Sequence, residues 1–288
     1  MIEQNFLREF NLERSMDISD AEFALFRDLI YKNFGIHLTD EKRSLLVRRL
    51  QQLLRINKFR NFGEYYDYLR THPSDENFTE LVNRITTNYT FFNREPDHFT
   101  FFTRHCLPEI RTQLIAQNSR DLRVWCAASS TGEEPYMLVM LMMEFFKNEY
   151  PMWDAGVLAT DLSRQALTTA AQGRYKADQV DMLPKTFLLN YFLKQSEKEY
   201  EVNPRVKREV TYRRFNLINK VYPFRKPFDV IFCRNVMIYF DEATKAQVSD
   251  KLYESLKPGG YLFIGHSETL TRINNRFNYV KPAVYRKP

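Results

Sequence analysis

From Leu122 onward, short apolar runs alternate with stretches of helical length, and this rhythm leaves few folds open. The runs are Arg123 to Ala127, Gly156 to Thr160, Phe228 to Cys233 and Tyr261 to Ile264. Helices are expected after Glu133, after Ser163 and after Asp241. Strands covered on both faces read as continuous apolar runs, and helical crossovers between them give a parallel sheet. Asn278 to Arg286 can add one or two final strands. Between Gly173 and Phe215 the rhythm breaks. Tyr200 to Val202 and Glu209 to Arg213 look like short antiparallel strands of an inserted substructure.

Before Arg94 the pattern is helical. Ser19-Asp20-Ala21-Glu22 fits a capping box, Phe23, Phe26, Ile30 and Phe34 follow at helical spacing, and Gly35 suits the stop. Thr39 is expected to cap a second helix, about Asp40 to Ile56, with Leu46, Leu50, Leu53 and Leu54 on one side and Lys42, Arg43, Arg48, Arg49 and Arg55 on the other. Further helices are expected near Gly63 to Thr71, over Asp75 to Ile85 and over Phe99 to Ala116.

Composition narrows the class of protein. Of 288 residues, 44% are hydrophobic and 27% charged, which excludes wholesale disorder. Met137 to Met143 is far short of the ~20 apolar residues of a membrane span. No secretion signal is read in Met1 to Glu13, and a cytoplasmic location is expected. The three cysteines, Cys106, Cys126 and Cys233, have no metal-ligand spacing, and no metal is expected. The net charge of +6 suits an acidic partner without choosing among nucleic acid, lipid and protein.

In open α/β sheets, ligands lie beyond the carboxyl ends of the strands. Three of these ends carry chemistry. The first strand runs into Ala128-Ser129-Ser130-Thr131-Gly132 and a helix opened by Glu133-Glu134-Pro135. Small residues admit a ligand to the backbone, while the two acids would repel a phosphate and suit an ammonium or hydroxyl. The second strand ends in Asp161, placed for a ribose diol, or for capping the helix after Ser163. The third ends in Arg234-Asn235, groups that are costly at a buried strand tip unless paired or bound to something. Together these features indicate a nucleoside held without phosphates, and S-adenosylmethionine fits. A dinucleotide fits worse, because no Gly-x-Gly-x-x-Gly is present.

Four motifs in order carry a resemblance over about Ser19 to Tyr285. They are Thr87-Asn88-Tyr89-Thr90 running on to Phe91-Phe92-Asn93-Arg94-Glu95, then Ser130-Thr131-Gly132-Glu133-Glu134-Pro135-Tyr136, then Phe232 to Phe240, then Gly265-His266-Ser267-Glu268. The chain resembles the CheR-type chemotaxis receptor methyltransferases. The resemblance implies a class I, Rossmann-like methyltransferase domain with a small antiparallel β insertion, preceded by an all-α domain. The divisions expected are 1–86 for the helical receptor-docking domain, 87–96 for a linker contributing to the cofactor site, and 97–288 for the methyltransferase domain, with the insertion at about 174–215. It also implies methyl esterification of glutamates on chemoreceptor signalling helices, with the enzyme recruited to membrane receptor arrays.

Carried onto this sequence, the family's cofactor contacts fall on Asn88, Thr90, Arg94, Glu134, Asp161, Asn216, Leu217, Asn235 and Val236. Arg94 can pair with the methionyl carboxylate, Glu134 with the ammonium, and Asp161 with the ribose hydroxyls, while Asn216 and Leu217 can frame the adenine. Arg234 and Tyr239 are candidates to steer the acceptor carboxylate, which needs no base because it is already ionised. His266 is read as structural. Lys42, Arg43, Arg48, Arg49 and Arg55 are expected to attract the acidic receptor bundle. Some family members bind a pentapeptide at the receptor's C-terminus through a Gly-x-Gly-Pro loop in the insertion. The matching stretch here, Leu193 to Tyr200, has no glycine, and no such binding is expected. Two other readings stay open. One is a nucleic-acid methyltransferase of the same fold, favoured only by the charge, since Asn235 is followed by Val236-Met237-Ile238 rather than by prolines. The other is an adaptor that holds the cofactor without turnover.

Overall fold

The computed structural model describes residues 16–86, 89–270 and 276–288, and the chain divides into two compact units between Thr87 and Asn88. The first unit is helical. Helix α1 (Asp20–Phe34) opens with a capping box: Ser19 Oγ accepts from Glu22 N–H at 3.2 Å, and Glu22 Oε2 accepts from Ser19 N–H at 2.9 Å. Gly35 ends it at φ 69°, where a Cβ would be strained. The buried stripe is Phe23, Phe26, Ile30 and Phe34, each worth about 1.5–3 kcal/mol of apolar burial.

The second helix differs from expectation at its start. Asp40–Lys42 form a 3-10 turn closed by Lys42 N–H to Thr39 O at 2.9 Å, and the Thr39 side chain caps nothing. Helix α2 follows as Arg43–Ile56 and buries Leu46, Leu50, Leu53 and Leu54. Helices α3 (Phe62–Thr71) and α4 (Asp75–Ile85) begin at side-chain caps from Asn61 and Ser74. Phe26 packs on Phe62 and Tyr65 with ring centroids 6.1 and 5.8 Å apart, joining α1 to α3.

The second unit is α/β. Helix α5 (Pro96–Phe101) continues through a π-turn (Phe102–Cys106) into α6 (Leu107–Ala116). The wider turn ends two residues before Pro108, which has no N–H to donate back to the preceding turn. There follow β1 (Val124–Ala127), α7 (Glu133–Phe146), β2 (Val157–Asp161), α8 (Arg164–Gln172), β3 (Arg174–Lys176), α9 (Ala177–Val180), α10 (Lys185–Tyr191), β4 (Phe192–Ser196), β5 (Glu199–Val202), α11 (Pro204–Lys207), β6 (Val210–Arg214), β7 (Phe228–Phe232), α12 (Glu242–Ser255), β8 (Leu256–Phe263), β9 (Asn278–Lys281) and β10 (Val284–Arg286).

The main sheet of the described residues has the order β6-β2-β1-β7-β8-β10-β9. Strands β6, β2, β1, β7 and β8 are parallel, and β10 and β9 are antiparallel additions at one edge. Cys126 lies in register with Ala159 on one side and Phe232 on the other, so β1 is an interior strand. Its alternation feeds two cores. Val124 and Cys126 pack with Tyr136, Met137 and Met140, while Trp125 and Ala127 pack with Val248 and Leu252. The antiparallel insertion is a second sheet, β3-β5-β4, and it closes at Val202. The strand near Glu209 to Arg213, expected inside the insertion, is corrected: β6 pairs parallel with β2, Val157 opposite Val210 through Asp161 opposite Arg214. Half-buried alternation fits an edge strand of either sheet, so the pattern alone could not assign it.

Candidate functional site

The loop after β1 is built from backbone that few residues adopt. Ala128, Ser130 and Gly132 have φ of 76°, 46° and 99°. Gly132 has no alternative, because a Cβ there would lie 2.9 Å from Ala170 Cβ and from the Tyr175 and Tyr212 hydroxyl oxygens. Tyr175 also donates its hydroxyl to Thr131 O at 2.7 Å. Ala128 and Ser129 N–H both donate to Thr160 O, which ties the loop to the end of β2. Asp161 holds it from the other side. Its Oδ2 accepts from Ser130 N–H and its Oδ1 from Ser163 N–H, both at 2.8 Å. Burial pushes the Asp161 carboxyl up, and those N–H groups pull the other way.

The two acids at the start of α7 part company. Glu133 is 1% exposed, and burial raises its carboxyl above the usual range while Thr131 Oγ1 donates to it at 2.7 Å. Glu134 turns toward the end of β7. Its Oε2 accepts from Arg234 Nη1 at 2.5 Å and its Oε1 from the Cys126 thiol at 3.2 Å. Among the described residues, Ser129 Oγ and Glu133 Oε1 are buried with no hydrogen-bond partner.

Arg234 is the centre of a buried ionic cluster. Its side chain is 1% exposed, and Nη2 donates to Arg94 O at 2.5 Å and to Glu95 Oε2 at 3.0 Å. Against burial, Glu134 and Glu95 keep the guanidinium charged. Two resident carboxylates thus hold its Nη1 and Nη2, while its Nε is buried with no hydrogen-bond partner among the described residues. Arg234 joins the segment before α5 to the start of α7. Arg94 is the opposite case. Its Nη1 donates to Tyr89 O at 2.9 Å, its guanidinium lies 5.9 Å from the Phe91 ring centroid, and among the described residues no carboxylate pairs with it.

Asn235, three residues past the end of β7, lies in the left-handed region, φ 56°, with its N–H donating to Glu268 Oε2 at 2.8 Å. Glu268 is 6% exposed and also accepts from the N–H groups of Gly265 and Ile238. Burial raises its carboxyl despite those donors. A Cβ on Gly265 would lie 2.5 Å from Asn235 Nδ2, so Gly265 makes room for this turn. Val236 leads into a 3-10 turn, Met237–Tyr239, that carries Tyr239. On the far side, Phe215 N–H donates to Asp161 O at 3.0 Å, which brings Asn216 beside β2. Leu217 is 7% exposed and packs in the second core.

Of the residues expected from sequence, the structure links Arg94, Glu134, Arg234 and Asn235 directly, and Asp161 through the Ser130 loop. Thr90, Leu217 and Val236 add no side-chain hydrogen bond to this network among the described residues. Asn88 lies outside the described residues. Glu95 and Glu268 also join this network, through Arg234 and Asn235, and sequence reasoning does not single them out. Their only sequence signal was position within the quoted motifs. His98, fully buried beside Glu95, is lowered to about 4 by burial and then by Arg234, and stays neutral. Glu95, His98 and His266 place ligand-type atoms within 4.8 Å of one another, but both Glu95 oxygens already accept hydrogen bonds from Arg234, Asn235 and His266 N–H.

The basic face of α2 divides as well. Arg43 pairs with Asp20 and lies 5.2 Å from the Phe23 ring centroid, and Arg49 Nη1 donates to Ile85 O at 2.6 Å. Lys42 Nζ reaches His37 O at 3.5 Å. Arg48 and Arg55 are exposed. Among the described residues, no helix is long and apolar enough to cross a membrane.

The family model described as the SAM binding domain of CheR methyltransferase matches residues 88–286, and that of the CheR all-alpha domain matches residues 21–86. A chemotaxis protein methyltransferase of Borreliella burgdorferi is 37% identical over 279 residues, covering 97% of this chain and 98% of the relative. The Escherichia coli chemotaxis protein methyltransferase is 35% identical over 272 residues, covering 93% and 91%. Chemotaxis protein methyltransferase 2 of Vibrio cholerae is 33% identical over 275 residues, covering 94% of each.

Proposed function

The chain belongs to the CheR methyltransferase family, and from that premise we propose that it methyl-esterifies glutamate side chains on the cytoplasmic helices of chemoreceptors. The observation that carries the reading is that the likeness to chemotaxis methyltransferases spans 97% of the chain, the all-alpha part included. A generic methyltransferase would need only the second part. We place the activity in the cytoplasm, at receptor arrays.

The residues present fit S-adenosylmethionine. Arg94 has a charge that no described carboxylate answers, and buried polar atoms of Ser129 and Glu133 stand without partners beside a loop that admits no side chain at Gly132. Arg94 would hold the methionyl carboxylate. Asp161 would take the ribose hydroxyls on lone pairs left by its two backbone donors. Glu134 would meet the ammonium region, with Asn216, Leu217, Asn235, Val236, Thr90 and Asn88 completing the site. When bound, this donor supplies an electrophilic methyl on a sulfonium.

The acceptor glutamate is ionised at neutral pH, with a reference pKa of ~4.3, so no general base is required. Two opposite charges vanish in the reaction, and exclusion of water favours that loss. The work left to the chain is alignment. Tyr239, on the turn after Val236, is assigned to orient the acceptor carboxylate, and Arg234 to hold the walls around it. Docking falls to the exposed pair Arg48 and Arg55, with Lys42, while Arg43 and Arg49 serve the fold of their own unit. We further propose independence from a C-terminal pentapeptide. The β4–β5 turn, Glu197-Lys198, carries no glycine and no positive φ, and Lys194 pairs with Glu197 at 2.7 Å.

The test uses methyl-labelled S-adenosylmethionine with a chemoreceptor cytoplasmic fragment. Label released by alkali as volatile methanol is the expected result. Alkali-stable label would mean another acceptor and would end the glutamate reading. Cofactor binding with no transfer to any of several receptors would favour an adaptor.

A further inference from the structure

Glu95 stands at φ 58° at the entrance to α5, with its side chain 15% exposed. Its Oε2 accepts from Arg234 Nη2 at 3.0 Å and its Oε1 from Asn235 Nδ2 at 3.2 Å. His266 N–H approaches both oxygens at 3.3 Å. An ionised carboxylate only accepts hydrogen bonds. Against the burial that would protonate it, Arg234 and these donors hold the Glu95 carboxyl below the ordinary range. Asn235 has one donor edge and one acceptor edge, and the donor edge is committed to Glu95. Its backbone is held in place because its N–H is bound to Glu268, and Gly265, where a Cβ would lie 2.5 Å from Nδ2, leaves room for the amide in this position. The remaining edge is Oδ1, and among the described residues nothing donates to it.

We propose that Glu95 is a positioning residue that fixes the amide polarity of Asn235, so that the end of β7 offers the methyl donor a carbonyl acceptor and takes an N–H or O–H of the ligand there. This rests on the methyltransferase reading. In S-adenosylmethionine the groups able to answer are the ammonium, the ribose hydroxyls and the adenine amino group. The methionyl carboxylate is refused at this position and left to Arg94. Asn and Asp would be near-isosteres here with different consequences, since Asp would set two carboxylates face to face.

The arrangement predicts a polarity swap. In Glu95→Gln, Arg234 has only donors, so the new amide keeps its oxygen on Arg234 and turns its NH2 to Asn235. Asn235 must then rotate half a turn and present its own NH2 to a ligand group that also donates. Calorimetry with S-adenosylhomocysteine should find Glu95→Gln weaker by about tenfold or more, the size of one lost hydrogen bond to a charged or polar group. The double variant Glu95→Gln/Asn235→Asp restores an acceptor on both sides of residue 235 and keeps the formal charge of the pair. It should recover most of the affinity, which a packing defect at residue 95 would not do. Repeating the series with 5′-methylthioadenosine, which lacks the amino-acid portion, locates the donor. A penalty that persists places it on the nucleoside, and one that vanishes places it on the ammonium, and each supports the proposal. Equal affinity of Glu95→Gln and the wild-type chain would overturn it, as would a double variant no tighter than the single one. A wild-type chain that does not bind S-adenosylhomocysteine would sink the methyltransferase reading itself, and this proposal with it.

Discussion

On α2, Arg48 and Arg55 stand in solvent, whereas at the end of β7 Arg234 is 1% exposed and bonded to carboxylates from two separate segments. The difference lies in what the surroundings do to a charge. In water the field of an arginine is screened over ~8–10 Å, and a partner can be found without fixed geometry. In a dry interior the same charge must be answered at once, by groups at defined distances, and it then fixes whatever those groups are attached to. Arg43 and Arg49 lie between these extremes. They share a helix with Arg48 and Arg55, yet Asp20 and the Ile85 carbonyl have claimed them.

Three variants press on this contrast. Arg234→Ala should do the most damage. It leaves the Glu134 and Glu95 carboxylates partly buried without their cation, at a cost of about 3–5 kcal/mol. That corresponds to a fall in thermal midpoint of about 10 °C for a unit of this size, read by calorimetry. A midpoint unchanged within a degree would mean that water already answers those carboxylates. Arg94→Gln comes next. It should leave the midpoint nearly unmoved and weaken S-adenosylhomocysteine by about tenfold to a hundredfold, the worth of a charge-assisted pair. Unchanged affinity would remove Arg94 from the cofactor site. The smallest effect belongs to Arg48→Glu with Arg55→Glu. Receptor methylation should slow several-fold at low salt, and the gap to wild type should close as salt is raised, while cofactor affinity holds. A gap indifferent to salt would mean that α2 does not act through its field.

Much of this was legible in the sequence, for reasons particular to each element. Helix α1 could be read because Ser19, Glu22 and Gly35 make local contacts that need no distant partner. The central strands could be read because burial on both faces leaves a continuous apolar run, as in Val124–Ala127 and Phe228–Phe232. The start of α2 was misplaced because a backbone turn served where a threonine side chain was expected. Strand β6 was misassigned because its alternation says only that one face is covered, not which sheet covers it. Around the candidate site, the structure places Glu134, Asp161, Arg234 and Asn235 at or just past the strand ends where the sequence put them, since such residues are conspicuous at apolar tips. Division of labour among them was not legible. Arg94 and Arg234 are the same residue type, and only the positions of Glu95 and Glu134 leave one held by two carboxylates and the other, among the described residues, by none. Glu95 and Glu268 were overlooked because an acid beside a loop looks like solvent-facing charge until the N–H groups converging on it are seen.

The Tyr175 hydroxyl, resting on Thr131 and against Gly132, has a consequence for how this domain can change over generations. The hairpin that β4 and β5 form belongs to a sheet separate from the main one, yet its companion strand β3 supplies the atom that closes over the loop at 128–132. Lengthening or recharging the hairpin at its tip leaves that anchorage intact, so the tip is open to drift. Excising the whole appendage would strip the loop of its brace and leave a hole above Gly132. The small sheet is a keystone of the loop beside it, and trimming it away would not leave that loop as it stands.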